Sequence, residues 1–183
     1  MNLDFASVWE MVSDLVPEND ALICGEDIVT WKEYDDGASK IASALSEAGL
    51  GANSKAGLYL NNSNEYLIAQ YAIFKVGGIP INVNYRYVEE ELIYLLENSD
   101  AEAVFYHACY SSRIKEISGS LPNIKAWIEV SDGTESKFDQ CLKYEELLNQ
   151  HPPMKRIHRD PETVYMLYTC LLYTSDAADE LRS

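Results

Sequence analysis

Apolar residues in the first stretch fall at Phe5, Val8, Trp9, Val12, Leu15 and Val16, a spacing that predicts an amphipathic helix. Pro17 cannot continue it, because proline lacks the amide donor a helix interior needs. Two short apolar runs, residues 21–24 and 28–30, flank Gly25-Glu26-Asp27 and predict a β-hairpin. Thr30 and Glu33 stand at capping-box spacing, in which each side chain satisfies the other's backbone amide. The helix they open carries Tyr34, Ala38, Ile41, Ala42 and Leu45 on one face, and Gly49 is placed to end it.

From there strands and helices alternate. Residues 57–60 read as a strand, residues 64–75 as a helix stopped by Gly77-Gly78, and residues 79–83 as a second strand. That second strand is expected to begin late, since Pro80 has no ladder hydrogen bond to donate. Val88, Leu92, Leu95 and Leu96 mark another helix; residues 103–106 and 126–130 are further strands, with a weaker helix at 113–118 between them. A polar loop (131–140), a short helix (144–148), an extended connection from His151-Pro152-Pro153 and a last strand (164–168) complete the pattern. Short apolar strands between helices predict an α/β fold, a mostly parallel sheet with helices on both faces. Ligands in such folds sit at the carboxyl ends of the strands.

Charge narrows the partners. The 183 residues include 14 basic and 30 acidic side chains, a net charge of −16. A surface this acidic repels phosphate backbones and anionic lipid headgroups, which argues against nucleic-acid binding and charge-driven membrane binding. No stretch approaches the roughly 20 apolar residues that span a bilayer, and Met1-Asn2-Leu3-Asp4 lacks the basic and apolar regions of a signal peptide. Cys24, Cys109 and Cys141 are far apart and form no Cys-x-x-Cys pair, so reduced, buried or half-buried thiols in a cytoplasmic protein are expected. His107, His151 and His158 show no metal-ligand spacing.

Three landmarks then line up in order with one family. Thr30-Trp31-Lys32-Glu33-Tyr34 resembles the opening segment of adenylate-forming enzymes. The run Phe74-Lys75-Val76-Gly77-Gly78-Ile79-Pro80-Ile81-Asn82-Val83-Asn84-Tyr85-Arg86-Tyr87 resembles their helix end, double small residue and strand. Asp160-Pro161-Glu162-Thr163-Val164-Tyr165-Met166-Leu167-Tyr168-Thr169 is similar to the approach to their phosphate-binding loop. Asn84-Tyr85-Arg86-Tyr87 followed by Val88-Glu89-Glu90-Glu91-Leu92 most resembles AMP-forming fatty-acyl-CoA ligases (acyl-CoA synthetases). The likeness runs through residues 5–169 in order and spacing.

The resemblance implies an enzyme that joins a carboxylic acid to AMP with release of pyrophosphate. The thiol of coenzyme A then displaces AMP to give the thioester. ATP, Mg²⁺ and coenzyme A are the implied cofactor and co-substrates, with the glycine-rich loop cradling the phosphates through backbone amides. Thr169 is implied to be the first hydroxyl of that loop, touching phosphate or Mg²⁺. Lys75 and Arg86 lie outside any glycine-rich cradle, so surface solvation or local salt bridging is expected of them; Tyr85 and Tyr87 are expected to pack. Glu89-Glu90-Glu91 is expected at a helix start, where negative charge complements the dipole.

Residues 1–169 thus read as an incomplete AMP-binding domain, and residues 170–183 as a non-native tail. Cys170-Leu171-Leu172-Tyr173-Thr174-Ser175-Asp176-Ala177-Ala178-Asp179-Glu180 resembles translated sequencing adapter and supplies no glycine for a phosphate cradle. No catalytic or metal-ligating residue is named in the chain, and because the phosphate loop and the adenylation lysine that the resemblance implies would lie beyond Thr169, the chain itself is expected to be inactive. Two other readings stay open: another adenylate-forming ligase, such as an adenylation domain, and a self-contained α/β binding domain without catalysis.

Overall fold

The computed structural model describes residues 4–159 and 165–168. Helix α1 (Phe5–Leu15) is capped by Asp4, whose carboxylate accepts the Ser7 amide at 2.9 Å. Strands β1 (Asp20–Cys24) and β2 (Asp27–Thr30) form the expected antiparallel hairpin. Helix α2 (Trp31–Glu47) opens with the predicted capping box: the Glu33 amide donates to Thr30 Oγ1, and the Thr30 amide donates to Glu33 Oε2. That exchange holds the Glu33 carboxyl below its ordinary range, chiefly through the Thr30 amide.

The remaining strands make one parallel sheet. They are β3 (Lys55–Tyr59), β4 (Ile79–Asn82), β5 (Ala103–His107), β6 (Ala126–Val130), β7 (Leu142–Lys143) and β8 (Met166–Leu167), in the order β7-β6-β5-β3-β4-β8. Helices α3 (Asn64–Lys75), α4 (Glu89–Asn98), α5 (Ser111–Ile117) and α6 (Tyr144–Gln150) connect them. Alternation along each strand separates the two faces. Ala56, Leu58, Ala103, Phe105 and Ile128 pack with α2, α3 and α6. Tyr59, Ile81, Val104, Tyr106 and Trp127 pack with α4 and α5. Because β4 lies on one side of β3 while β5, β6 and β7 extend on the other, strand order reverses between β3 and β5. An open sheet offers its crevice at such a reversal.

One expectation needs correction, and one is refined. Strand β4 begins at Ile79 and contains Pro80, which pairs in register with Ala56. The Ile79 amide donates toward β3, to Ser54 O at 2.8 Å, so the alternate Pro80 nitrogen faces the other side. There β8 begins pairing only at Ile81, and no ladder bond is lost. Helix α1 is amphipathic, yet it buries Ala6, Glu10 and Ser13 while Phe5, Val8 and Leu15 are exposed. Its inward side combines Trp9, which packs on Tyr34, Tyr71 and Phe74, with Glu10, whose charge pairing is described below.

One buried side-chain polar atom among the described residues lacks a partner, the Tyr144 hydroxyl at the start of α6. Burial pushes its pKa far up, and an unsatisfied buried hydroxyl costs its desolvation. Tyr144→Phe should therefore raise stability by about 1 kcal/mol, read as a higher denaturant midpoint at unchanged slope. A lowered midpoint would show that the hydroxyl has a partner, such as a bound water.

Candidate functional site

The carboxyl edge of the sheet gathers polar side chains that the sequence scatters. At the end of β3, the Asn61 amide donates to His107 Nδ1 at 3.1 Å, and Tyr110 OH donates to Asn61 Oδ1 at 2.9 Å. His107 is buried at the end of β5, and burial lowers its pKa, with Asp132 and Glu65 pulling the other way. Since Nδ1 accepts, the neutral ring carries its proton on Nε2. This node lies at the reversal between β3 and β5, and its members are 46 and 49 positions apart in the chain.

A second node backs the same edge. Arg113 donates to Tyr59 OH (2.6 Å), to the Tyr87 carbonyl (3.0 Å) and to Glu89 (3.0 Å), while Tyr59 OH donates to the Tyr87 carbonyl. It fixes the loop between β4 and α4. Within that loop Tyr87 is half-buried, as expected of a packing residue, whereas Tyr85 is 42% exposed and does not pack into the core. The Arg86 guanidinium stands 5.5 Å from the Tyr85 ring and is exposed to solvent, as expected. Glu89, Glu90 and Glu91 begin α4, and the Glu91 carboxylate accepts the Val88 amide at 2.9 Å.

Lys75 departs from the expectation of surface solvation. Its side chain is 2% exposed at the end of α3, where Nζ lies 3.0 Å from Glu10 and 2.7 Å from Asp35. Salt bridging was the right half of the expectation; the site is interior. Arg159 joins the same cluster, 2.6 Å from Glu10 and 3.0 Å from Asp4. Arg156 grips Asp14 through both guanidinium nitrogens at 2.6 and 2.8 Å. Burial raises the Asp4 pKa, and the Ser7 and Arg159 hydrogen bonds more than offset it, leaving it below the usual carboxylate range.

The phosphate-loop approach arrives on the outer side of β4. Ile81 and Asn82 pair with Met166 and Leu167, so β8 points its carboxyl end the same way as β3, β4 and β5. Around it stand neutral oxygens: Tyr66 OH donates to Asn82 Oδ1 at 3.0 Å and lies 3.4 Å from Tyr165 OH, and Tyr168 OH donates to Asn98 Oδ1 at 2.9 Å. Thr169, the residue implied to touch phosphate or Mg²⁺, lies outside the described residues, as do residues 170–183. Among the described residues no group of three or more His, Cys, Asp or Glu side chains could hold a metal ion.

Thiol placement departs from expectation at two of three positions: Cys24 and Cys109 are exposed, whereas Cys141 is half-buried as expected, and all three are free. Partial burial and the neighbouring Asp132 push the Cys109 thiol up to about 11, while Asp132, which accepts the Cys109 and Thr134 amides, is pulled down to about 2. Cys109 is therefore held as the unreactive thiol at neutral pH. Its alkylation rate should climb only toward pH 11, and Asp132→Asn should move that climb downward. Mass-spectrometric alkylation across pH measures this, and a half-maximal rate near pH 9 would contradict it.

Comparison with known proteins agrees with this architecture. The family described as AMP-binding enzyme matches residues 10–170. The chain is 37% identical over 172 residues to a 3-oxocholest-4-en-26-oate–CoA ligase of Rhodococcus rhodochrous, covering 92% of this chain and 31% of that protein. A medium/long-chain-fatty-acid–CoA/3-oxocholest-4-en-26-oate–CoA ligase of Mycobacterium marinum is 34% identical over 174 residues, covering 91% and 32%. Among solved structures, a fatty acyl CoA synthetase of Mycobacterium tuberculosis superposes with a TM-score of 0.75 at 19% identity, covering 91% of this chain and 32% of that one. Coronafacic acid ligase of Pectobacterium brasiliense gives 0.81 at 15% identity, covering 91% and 33%. The chain thus spans about 31% of the length of the curated relatives it matches. A doubly flanked parallel sheet, its strand reversal and a match over residues 10–170 converge on one conclusion: the chain belongs to the AMP-binding enzyme family.

Proposed function

We propose that this chain is the amino-terminal part of an ATP-dependent acyl-CoA ligase acting on a carboxylic acid of the fatty-acid class. The carboxylate attacks the α-phosphate of ATP, forming acyl-AMP and releasing pyrophosphate. The thiol of coenzyme A then attacks the acyl carbon, forming the thioester and releasing AMP and a proton. The observation that carries this reading is the 37% identity over 92% of the chain to a CoA ligase. The geometry supports it by delivering Tyr168 to the carboxyl edge of the sheet beside β4, where nucleotide phosphates bind in open α/β folds.

In this reading Thr169 supplies the first hydroxyl of the phosphate loop, and Mg²⁺ neutralises the phosphate charge when bound. No helix among the described residues is long and apolar enough to cross a membrane, and a cytoplasmic enzyme is inferred. The 183-residue chain is itself inactive, because residues 170–183 contain neither the glycines of a phosphate cradle nor a lysine.

A chimera tests the reading. Residues 1–169 are joined to the remaining two-thirds of the Rhodococcus relative and assayed with ATP, coenzyme A and a fatty acid. Thioester formation by the chimera, with none by the 183-residue chain, is expected. A folded chimera that makes acyl-AMP and passes it to no thiol would favour a different adenylate-forming ligase; one that makes neither would sink the proposal.

A further inference from the structure

Strand β8 supplies the geometric support for the proposed function, yet its own ladder holds it weakly. Two residue pairs join it to β4, Ile81 with Met166 and Asn82 with Leu167. A slip of one residue would exchange the sides of Tyr165 and Leu167 with those of Met166 and Tyr168. Tyr165 packs partly against one core and Met166 and Tyr168 partly against the other, but none of the four is fully buried and Leu167 is 61% exposed, so burial favours the observed register only weakly. The side-chain bonds from Tyr165 and Tyr168 are single contacts at part-buried or exposed positions.

Seven positions before Met166 the chain is gripped far more firmly. The Arg159 side chain is 2% exposed and spends its guanidinium on Asp4, on Glu10 and on the Lys75 carbonyl at the end of α3. Glu10 in turn pairs with Lys75. Three acids, Asp4, Glu10 and Asp35, therefore meet two bases, Lys75 and Arg159, and the network connects the extended segment to both α1 and α3. Such a network is a poor way to gain stability, because apolar residues of the same volume do as well or better. What it supplies is a directional, forked geometry that admits one position of the arginine.

We propose that Arg159 is a positioning residue: clamped by Asp4, Glu10 and the Lys75 carbonyl, it sets the register in which β8 pairs with β4. Through β8 it fixes where Tyr168 falls at the carboxyl edge. What that edge binds rests on the proposed function; the register itself does not.

The test is accordingly made on the 183-residue chain, without any assay of activity. In Glu10→Leu/Lys75→Met/Arg159→Met three of the network's charges are replaced by apolar volume, while Asp4 keeps its Ser7 partners and Asp35 keeps Tyr71 OH, so the chain should still fold, at a lowered melting temperature. Hydrogen exchange at Met166, Leu167 and Tyr168 should accelerate at least about tenfold, while β3 and β5 keep their protection. Unchanged exchange at those three amides in the folded variant would overturn the proposal. If the triple variant does not fold, Arg159→Lys, which keeps the charge and loses the fork, is read in the same way: selective loss at β8 supports the clamp, and retained protection overturns it. Failure of the chimera with normal register in the parent chain would remove the functional reading and leave the clamp standing.

Discussion

Lys75→Met should lower the unfolding free energy of the chain by about 3 kcal/mol, the size expected when one member of a buried ion network is deleted. Methionine keeps the unbranched stem and most of the volume, so the change isolates the charge. Glu10 and Asp35 would lose partners at 3.0 and 2.7 Å, and the ring of Tyr71 would lose the ammonium that stands 4.6 Å from its centre. Glu10 would retain Arg159, and Asp35 would retain Tyr71 OH at 2.5 Å, which holds the loss below that of a charge left wholly alone. Adding Glu10→Leu to Lys75→Met should recover most of the loss, because the two residues act as a unit and their effects are not additive. Guanidinium unfolding at constant slope measures both variants. A Lys75→Met midpoint equal to the parent's would show that Lys75 is solvated, as its sequence context alone suggests.

That misreading of Lys75 shows where a sequence stops informing. The sheet was legible because strands of four or five apolar residues between helices have few other uses, and the capping box at Thr30 and Glu33 needs only residues three apart. The ion cluster joins residues 65, 149 and 155 positions apart, and no local pattern announces it. The same distance hid part of the inward side of α1: of the apolar residues counted there, Trp9 packs on Tyr34, Tyr71 and Phe74 while Val8 and Leu15 are exposed, and Glu10 is buried beside them with Lys75 and Arg159. Pro80 misled for a local reason. Its missing donor matters only on a side that needs one, and which side that is depends on where β8 begins. The three landmarks pointed to the carboxyl edge of the sheet, while Thr169, the residue they single out, lies outside the described residues. The polar nodes at that edge, Asn61 with His107 and Arg113 with Tyr59, are long-range contacts of the kind sequence periodicity does not reveal.

Gly78→Ala should cost about 3 kcal/mol, at the upper end of what overpacking brings, and more than Gly77→Ala beside it. A methyl group at Gly78 would stand 2.9 Å from the Ser54 carbonyl oxygen and 3.1 Å from the Ile73 carbonyl oxygen. Neither oxygen is free to retreat: Ser54 O accepts the Ile79 amide at 2.8 Å, and Ile73 O accepts the Gly78 amide at 2.9 Å. One bond closes α3 and the other starts β4, so relief at either costs an element end. Gly77 presents a different problem. Its φ of 76° is in the left-handed region, worth about 1–2 kcal/mol for an L side chain, but an added methyl there would meet Ala52 only at 3.5 Å. Strain at Gly77 is thus confined to one residue, whereas a clash at Gly78 moves the start of β4 against β3. The displacement would run along β4 to Asn82, which pairs with Leu167, so Gly78→Ala should also accelerate hydrogen exchange in β8, and Gly77→Ala should not. Paired unfolding curves and exchange rates separate the two substitutions. A Gly78→Ala chain as stable as Gly77→Ala would mean that the turn between α3 and β4 yields more readily than its two committed carbonyls allow.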